Sequence, residues 1–172
     1  MIKIQEFKKN NFKTTWKLLN IGFKGSDIFA NQLYSNDILE YAIEKLEADE
    51  CDDLVCALAS EYANNTEGID CLLRQLSRKE DTDESLELRK WRVVFVAQEI
   101  TDKKDNCING LMSLGDLWIH MGYPEDSPHI FQGRENSITP EQYYTDENYC
   151  KIFEQHITWL KKEIEFIHNN QG

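Results

Sequence analysis

The fold is decided by residues 35–47, which read SNDILEYAIEKLE. Ser35, Asn36 and Asp37 are residue types that begin helices, because their side chains accept hydrogen bonds from the first backbone N–H groups. Apolar residues then recur at helical spacing, at Ile38, Leu39, Ala42, Ile43 and Leu46. Acidic residues take the other side, at Glu40, Glu44 and Glu47. The stretch predicts an amphipathic helix with an acidic outer face.

The same pattern occurs twice more after short joints. One apolar stripe consists of Leu54, Val55, Leu58 and Tyr62. The next consists of Ile69, Leu72, Leu73 and Leu76. Short joints between successive helices favour neighbours that pack against each other in an antiparallel way.

The rest of the chain is also typical of helices. Thr14 and Thr15 precede a short helix around Trp16, and residues 106–120 and 146–169 have helical periodicity. Residues 84–101 include a nearly continuous apolar run at 91–97, for which the flanking residues and total length favour a helix over a buried strand. We therefore expect an all-α protein: a single domain over residues 1–172, built as a bundle or array of about seven helices.

A long loop is expected at residues 122–145, before the C-terminal helix. It contains all three prolines of the chain, Pro124, Pro128 and Pro140, and proline interrupts helices. It also carries several aromatic residues, which indicates that the loop packs against the body of the protein. Loops of this length often have a function.

The net negative charge is concentrated in one segment, residues 37–87, whose own net charge of −12 equals that of the whole chain. This segment contains sixteen Asp and Glu against four Lys and Arg, whereas residues 1–36 contain six lysines. The chain carries a net charge of −12, which argues against binding to nucleic acid, because phosphate backbones are bound mainly through Lys and Arg. A localised acidic surface can instead steer a positively charged partner.

No targeting or membrane segment is recognisable. The N-terminus lacks the apolar run of a secretory signal, and no stretch is long enough to span a bilayer. The five cysteines form no Cys-x-x-Cys pair, so reduced thiols are the simplest interpretation. We expect a soluble cytoplasmic protein without a bound metal or cofactor.

The loop offers an alternative function. His120, Asp126 and His129 are residue types used by hydrolases and metal-dependent enzymes, although Pro-Glu-Asp-Ser-Pro at 124–128 is also ordinary turn composition. His156 lies beside the apolar seam of the last helix, where a packed histidine is the usual case. No phosphate loop, zinc-protease helix or serine nucleophile motif is present, so a protein that is not an enzyme is favoured.

Four short stretches carry a resemblance to a known family. They are Trp16-Lys17-Leu18-Leu19, residues 36–46 (NDILEYAIEKL), Lys90-Trp91 and Gly122-Tyr123-Pro124. With these motifs the chain resembles a bacterial family catalogued only as a domain of unknown function. Its members look like small acidic helical proteins, similar in type to the immunity proteins that protect bacteria from polymorphic toxins.

These observations lead to one expected function and two alternatives. The chain is expected to bind and neutralise a basic toxin domain, such as a nuclease, through its acidic helices. The expected contact residues are Glu40, Glu44, Glu47, Asp49, Glu50, Asp52 and Asp53, with Tyr41 and Tyr62 as aromatic anchors. The alternatives are a small enzyme built on His120, Asp126 and His129, and a structural adaptor module.

Overall fold

The computed structural model describes residues 2–48, 52–102 and 106–171. Within these ranges the chain is all-helical, which confirms the predicted fold class. The helices are α1 (Ile4–Lys9), α2 (Trp16–Lys24), α3 (Ser35–Glu47), α4 (Asp53–Ala59), α5 (Thr66–Lys79), α6 (Glu84–Thr101), α7 (Cys107–His120), α8 (Pro140–Tyr143) and α9 (Asp146–Asn170).

The described residues thus form nine helices rather than about seven. The two additions, α1 and α8, have six and four residues. Helices this short do not complete enough turns to give a recognisable apolar periodicity. The loop predicted at residues 122–145 therefore contains one helical turn, α8, close to its end.

The chain divides into two compact units. One comprises Met1–Lys90 and Asn170–Gly172, and the other comprises Trp91–Asn169. The boundary falls inside α6, in the segment where the sequence becomes continuously apolar. The single domain expected over residues 1–172 stays a prediction.

In the first unit, successive helices pack against one another. Helix α2 contacts α3 and α5, α3 contacts α4 and α5, and α4 contacts α5. Residues from each apolar stripe form the inner faces, with Ile38, Leu58, Ile69 and Leu73 fully buried. Amphipathic helices that are connected by short joints are therefore neighbours in the fold, as predicted.

Side-chain caps set several helix starts. The Thr15 hydroxyl accepts a hydrogen bond from the Leu18 N–H, and Asp52 and Asp83 accept from the N–H groups of Leu54 and Ser85. Helix α3 begins differently from the prediction: Ser35 is already helical, and the Asp37 carboxylate accepts from the Tyr34 N–H. These caps satisfy N–H groups that have no partner within the helix.

Helix α4 ends earlier than its apolar stripe suggested. It stops at Ala59, and the Ser60 hydroxyl donates a hydrogen bond to the Cys56 carbonyl. Tyr62 therefore lies in the turn before α5, with 79% of its surface exposed, instead of on the inner face of α4. A side chain that competes for the last carbonyls of a helix is a local feature that periodicity does not reveal.

A buried ion pair joins the start of α2 to α6. Lys90 and Glu87 are each 1% exposed, and the Lys90 Nζ lies 3.1 Å from a Glu87 oxygen. The same Nζ donates to the Lys13 carbonyl at 2.9 Å. Burial raises the pKa of Glu87, while Lys90 and the Thr15 hydroxyl oppose that rise.

The second unit has its own apolar core. It is formed by Leu111 and Leu114 of α7, Tyr143 of α8, and Tyr149 and Ile152 of α9. Gly110 allows α7 to approach α9 closely, because a Cβ at this position would overlap the Tyr149 ring.

Helix α6 of the structure agrees with the predicted bounds. It spans Glu84–Thr101, and Trp91, Val93, Val94 and Val96 are buried. The continuous apolar run is thus a buried helix and not a strand. Of the described helices, none has the combination of length and apolarity that crossing a membrane requires.

The buried ion pair gives a stability test. We expect Lys90→Met to lower the free energy of unfolding by about 3 kcal/mol, because the Glu87 carboxylate would stay buried without its partner. The double variant Glu87→Leu/Lys90→Met is expected to lose less, since both charges are then removed. Urea denaturation followed by tryptophan fluorescence measures both changes.

The control is Lys79→Met, which removes the exposed ion pair between Lys79 and Asp52. Exposed pairs contribute little, so this variant should unfold almost as the parent does. Equal effects of the substitutions at Lys79 and Lys90 would contradict the structural role of the buried pair.

Candidate functional site

The structure separates the three residues of the enzymatic alternative. His120 is exposed at the end of α7, and its Nδ1 donates to the Asp116 carbonyl at 2.6 Å. His129 is buried in the loop, where its Nε2 lies 3.0 Å from the Tyr143 hydroxyl. No group of three or more His, Cys, Asp and Glu suited to a metal ion occurs in the described ranges. The trio is therefore not assembled as a metal site.

Asp126 belongs to an ion-pair network. Its two carboxylate oxygens accept hydrogen bonds at 2.9 Å from the two terminal nitrogens of Arg92, and the Trp159 Nε1 donates at 3.3 Å. Burial pushes the pKa of Asp126 upward, but the hydrogen bonds and charge of Arg92 outweigh burial, so the pKa is lowered. A carboxylate held in this way anchors the loop to α6 and α9.

Two histidines lie side by side in the second unit. His156 is fully buried: its Nε2 accepts from the Trp118 Nε1 at 2.8 Å, and its Nδ1 donates to the Ile152 carbonyl at 2.7 Å. The packed role expected for His156 is thereby confirmed. The rings of His129 and His156 lie 5.6 Å apart. Burial, followed by the charge of His156, lowers the pKa of His129 to about 3.

The three predicted glutamates of α3 lie on one side of that helix. Glu40, Glu44 and Glu47 are all exposed. Glu44 pairs with Lys8 of α1 at 2.6 Å. In the described part of the chain, the carboxylates of Glu40 and Glu47 form no ion pair or hydrogen bond. Two of the three carboxylates are therefore exposed without a partner in the described residues.

The acids around the joint between α3 and α4 are partly neutralised. Asp52 caps α4 and pairs with Lys79 of α5 at 2.7 Å, and both contacts lower its pKa. Lys79, 27 residues further along the chain, thus supplies Asp52 with a basic partner. Asp53 is exposed. Asp49 and Glu50, two further predicted contact residues, lie outside the described residues.

Other acids of the 37–87 segment hold the first unit together. The Glu80 carboxylate accepts from the N–H groups of Trp16 and Lys17 at 2.9 and 2.8 Å, and so caps α2. Asp70 pairs with Arg74 and with Lys24. Together with Asp83 and Glu87, these residues serve internal contacts. The surface charge is thus smaller than the count of acids suggested.

The two predicted aromatic anchors lie in different environments. Tyr41 is buried, its ring packs edge-on against Trp16 at 5.0 Å, and its hydroxyl donates to the Thr14 carbonyl. Tyr41 therefore serves the core and is not presented to a partner. Tyr62, the other anchor, is almost fully exposed.

An exposed apolar residue, Ile43, lies between the glutamates of α3. Ile43 was assigned to the inner face of α3, yet it is 45% exposed. Its position follows from helical geometry, because Glu40 and Glu47 lie three residues before and four residues after it. We call Asn36, Glu40, Ile43, Glu44 and Glu47 the α3 outer face. The i−3 and i+4 spacing to two glutamates was the signal that should have placed Ile43 there.

The buried histidine predicts a pH dependence. His129 has a pKa of about 3 when folded and 6.5 when unfolded, so the unfolded chain binds the extra proton. Stability is therefore complete above pH 6.5 and falls as the pH decreases toward 3. The free energy of unfolding should decrease by about 1.4 kcal/mol per pH unit for this residue.

The measurement is urea denaturation between pH 4 and 8 of the parent and of His129→Gln. Below pH 6 the parent should lose stability more steeply than the variant, and above pH 7 the two slopes should coincide. The same slope for both proteins between pH 4 and 6 would show that His129 is not buried in its neutral form.

Comparison with known proteins identifies a family. A family model described as "Uncharacterized protein conserved in bacteria (DUF2247)" matches residues 4–164, a range that includes most of both units. No curated protein and no solved structure matches the chain. The match confirms the resemblance to an uncharacterised bacterial family. The chain belongs to this family, DUF2247.

Proposed function

We propose that the chain is a cytoplasmic immunity-type protein, which binds and neutralises a basic toxin domain such as a nuclease. Two general properties support this proposal: the bacterial family and the net charge of −12. An acidic protein attracts a basic partner over a distance and raises the rate of their association. Binding to the cationic cleft of a toxin would also block access of its substrate.

The observation that carries the proposal is the composition of the α3 outer face. Ile43 is exposed there, with Glu40 and Glu47 beside it on the same side of the helix. Nearly half of the Ile43 surface is left in water by the chain itself. Within a complex it would be desolvated, while the neighbouring carboxylates pair with Lys or Arg of the partner.

The pair between Lys8 and Glu44 borders this face. Both side chains are about half exposed, so breaking their contact costs little. Glu44 can therefore exchange Lys8 for a basic residue of the partner. Tyr62 and Asp53 are further exposed residues of the same unit that a large interface would include.

Neither alternative function has a comparable observation in its favour. The enzyme hypothesis relied on His120, Asp126 and His129, which are engaged in separate contacts. A structural adaptor would use the same exposed face without protecting a cell. Protection is thus the property that distinguishes an immunity protein from an adaptor.

The direct test is co-expression with a toxin domain, which is sought first among the genes beside the gene of this protein. We expect the parent to restore growth of cells that produce the toxin, and to form a stable complex with it in size-exclusion chromatography. A complex without protection would favour an adaptor. No complex with the neighbouring gene product would contradict the proposal.

Two sets of variants then test the α3 outer face. Glu40→Gln/Glu47→Gln should slow association with the toxin about tenfold at low salt and much less at high salt, because the lost attraction is screened. Ile43→Ala should raise the dissociation rate about tenfold, which corresponds to about 1.4 kcal/mol. Stopped-flow mixing and biolayer interferometry measure the two rates.

The matched control is Glu147→Gln/Glu165→Gln, which removes two exposed acids of α9. It changes the net charge by the same amount, but outside the proposed contact. If the control slows association as much as the α3 variant does, the attraction comes from overall charge and not from this face.

A further inference from the structure

A cavity of about 440 Å³ lies in the loop of the second unit. It is lined only by residues between Tyr123 and Glu135, and its volume falls in the range of about 300–1,000 Å³ typical of small-molecule sites. None of the residues predicted to bind a protein partner lines it. The cavity therefore belongs to a different site from the α3 outer face.

One wall of the cavity is aromatic. The rings of Tyr123 and Phe131 meet edge-to-face with centroids 4.9 Å apart, and the ring of His129 lies 4.6 Å from Phe131. Such a wall offers apolar area and ring edges to a bound side chain. The wall suits a ligand with an apolar, preferably aromatic, group.

Charged groups of both signs surround this wall. The Arg134 guanidinium lies over the Tyr123 ring, 4.1 Å from its centroid, and forms no ion pair within the described residues. Its planar fork of N–H donors matches a carboxylate. Glu125 and Glu135 also line the cavity, and neither carboxylate has an ion-pair partner in the described part of the chain.

The His129 side chain adds an unsatisfied polar atom. His129 is 6% exposed and lines the cavity, and its Nδ1 has no hydrogen-bond partner among the described residues. Buried polar atoms normally have partners, because leaving them without one costs free energy. A neutral imidazole nitrogen can donate or accept, depending on its tautomer. A ligand's polar group would supply the missing partner.

The cavity is also held in shape without a ligand. The Asn136 amide donates to the carbonyls of Phe131 and Arg134 at 2.8 and 2.7 Å, and its oxygen accepts from the N–H groups of Gly133 and Ile138. On the other side, Gly115 of α7 approaches the ring of His129. A fixed turn loses little freedom on binding, which favours affinity.

We infer that this cavity binds a small zwitterion, namely a free amino acid with an aromatic side chain. A ligand with only a carboxylate would be attracted by Arg134 but repelled by Glu125 and Glu135. A ligand with only an amine would be attracted by Glu125 and Glu135 but repelled by Arg134. A molecule that carries both groups satisfies both charges of the cavity, and its ring packs on Tyr123 and Phe131.

The test uses three probes that share one ring. L-Phenylalanine carries both charged groups, 2-phenylethylamine lacks the carboxylate, and 3-phenylpropionate lacks the amine. By isothermal titration calorimetry, L-phenylalanine should bind at least about tenfold more tightly than either analogue. The ¹⁵N chemical shift of the His129 Nδ1 should change when L-phenylalanine is added, because this atom gains a partner.

Variants test which residues bind the carboxylate and the amine of the ligand. With Arg134→Gln, the advantage of L-phenylalanine over 2-phenylethylamine should fall to about twofold or less. With Glu125→Gln/Glu135→Gln, the advantage over 3-phenylpropionate should fall in the same way. The control Arg78→Gln removes an exposed arginine of α5 and should change neither ratio. Circular dichroism confirms that each variant is folded.

Several results would overturn the inference. They are no binding of L-phenylalanine to the parent at about 10 mM, equal or tighter binding of one analogue, and ratios that Arg134→Gln leaves unchanged. Even if a variant does not fold, the relative affinities of the three probes for the parent protein test the inference.

Discussion

The buried ion pair between Glu87 and Lys90 is the interaction on which the first unit depends. Lys90 binds both Glu87 and the carbonyl of Lys13, so the start of α2 is fixed to α6 by a contact that water does not reach. Glu80 strengthens the same junction by capping α2. Because α2 packs against α3 and α5, the position of this junction also determines which side of α3 is exposed.

Contacts of this kind reduce the acidic charge that residues 37–87 carry at the surface. A count of sixteen acids suggests a uniformly charged surface, yet several of them cap helices or pair with lysines from distant parts of the sequence. The pairs reduce the repulsion that the segment would otherwise suffer. What remains exposed is a smaller surface on α3, in which Glu40 and Glu47, without ion-pair partners in the described part of the chain, flank an exposed isoleucine.

The second unit is organised by buried aromatic and imidazole groups. Trp118 donates to His156, and the ring of His129, a residue of the enzymatic alternative, contacts the Tyr143 hydroxyl. Arg92 engages Asp126 and brings the loop against α6 and α9. The ordered loop encloses a cavity whose wall combines aromatic rings with charges of both signs. A loop that looked like ordinary turn composition thus has a defined shape.

The sequence by itself determined the fold class and most helices, because periodicity and caps such as Thr15 and Asp83 act within a few residues of each other. It did not predict α1 and α8, because these helices are too short to show a recognisable apolar periodicity. Only the tertiary structure decided which acids stay exposed, since the partners of Glu44 and Asp52 lie 36 and 27 residues away. The burial of Tyr41 was likewise decided by distant contacts, with Trp16 and the Thr14 carbonyl. Local order is therefore encoded in the pattern, whereas the chemistry of the surface depends on long-range contacts that the pattern does not contain.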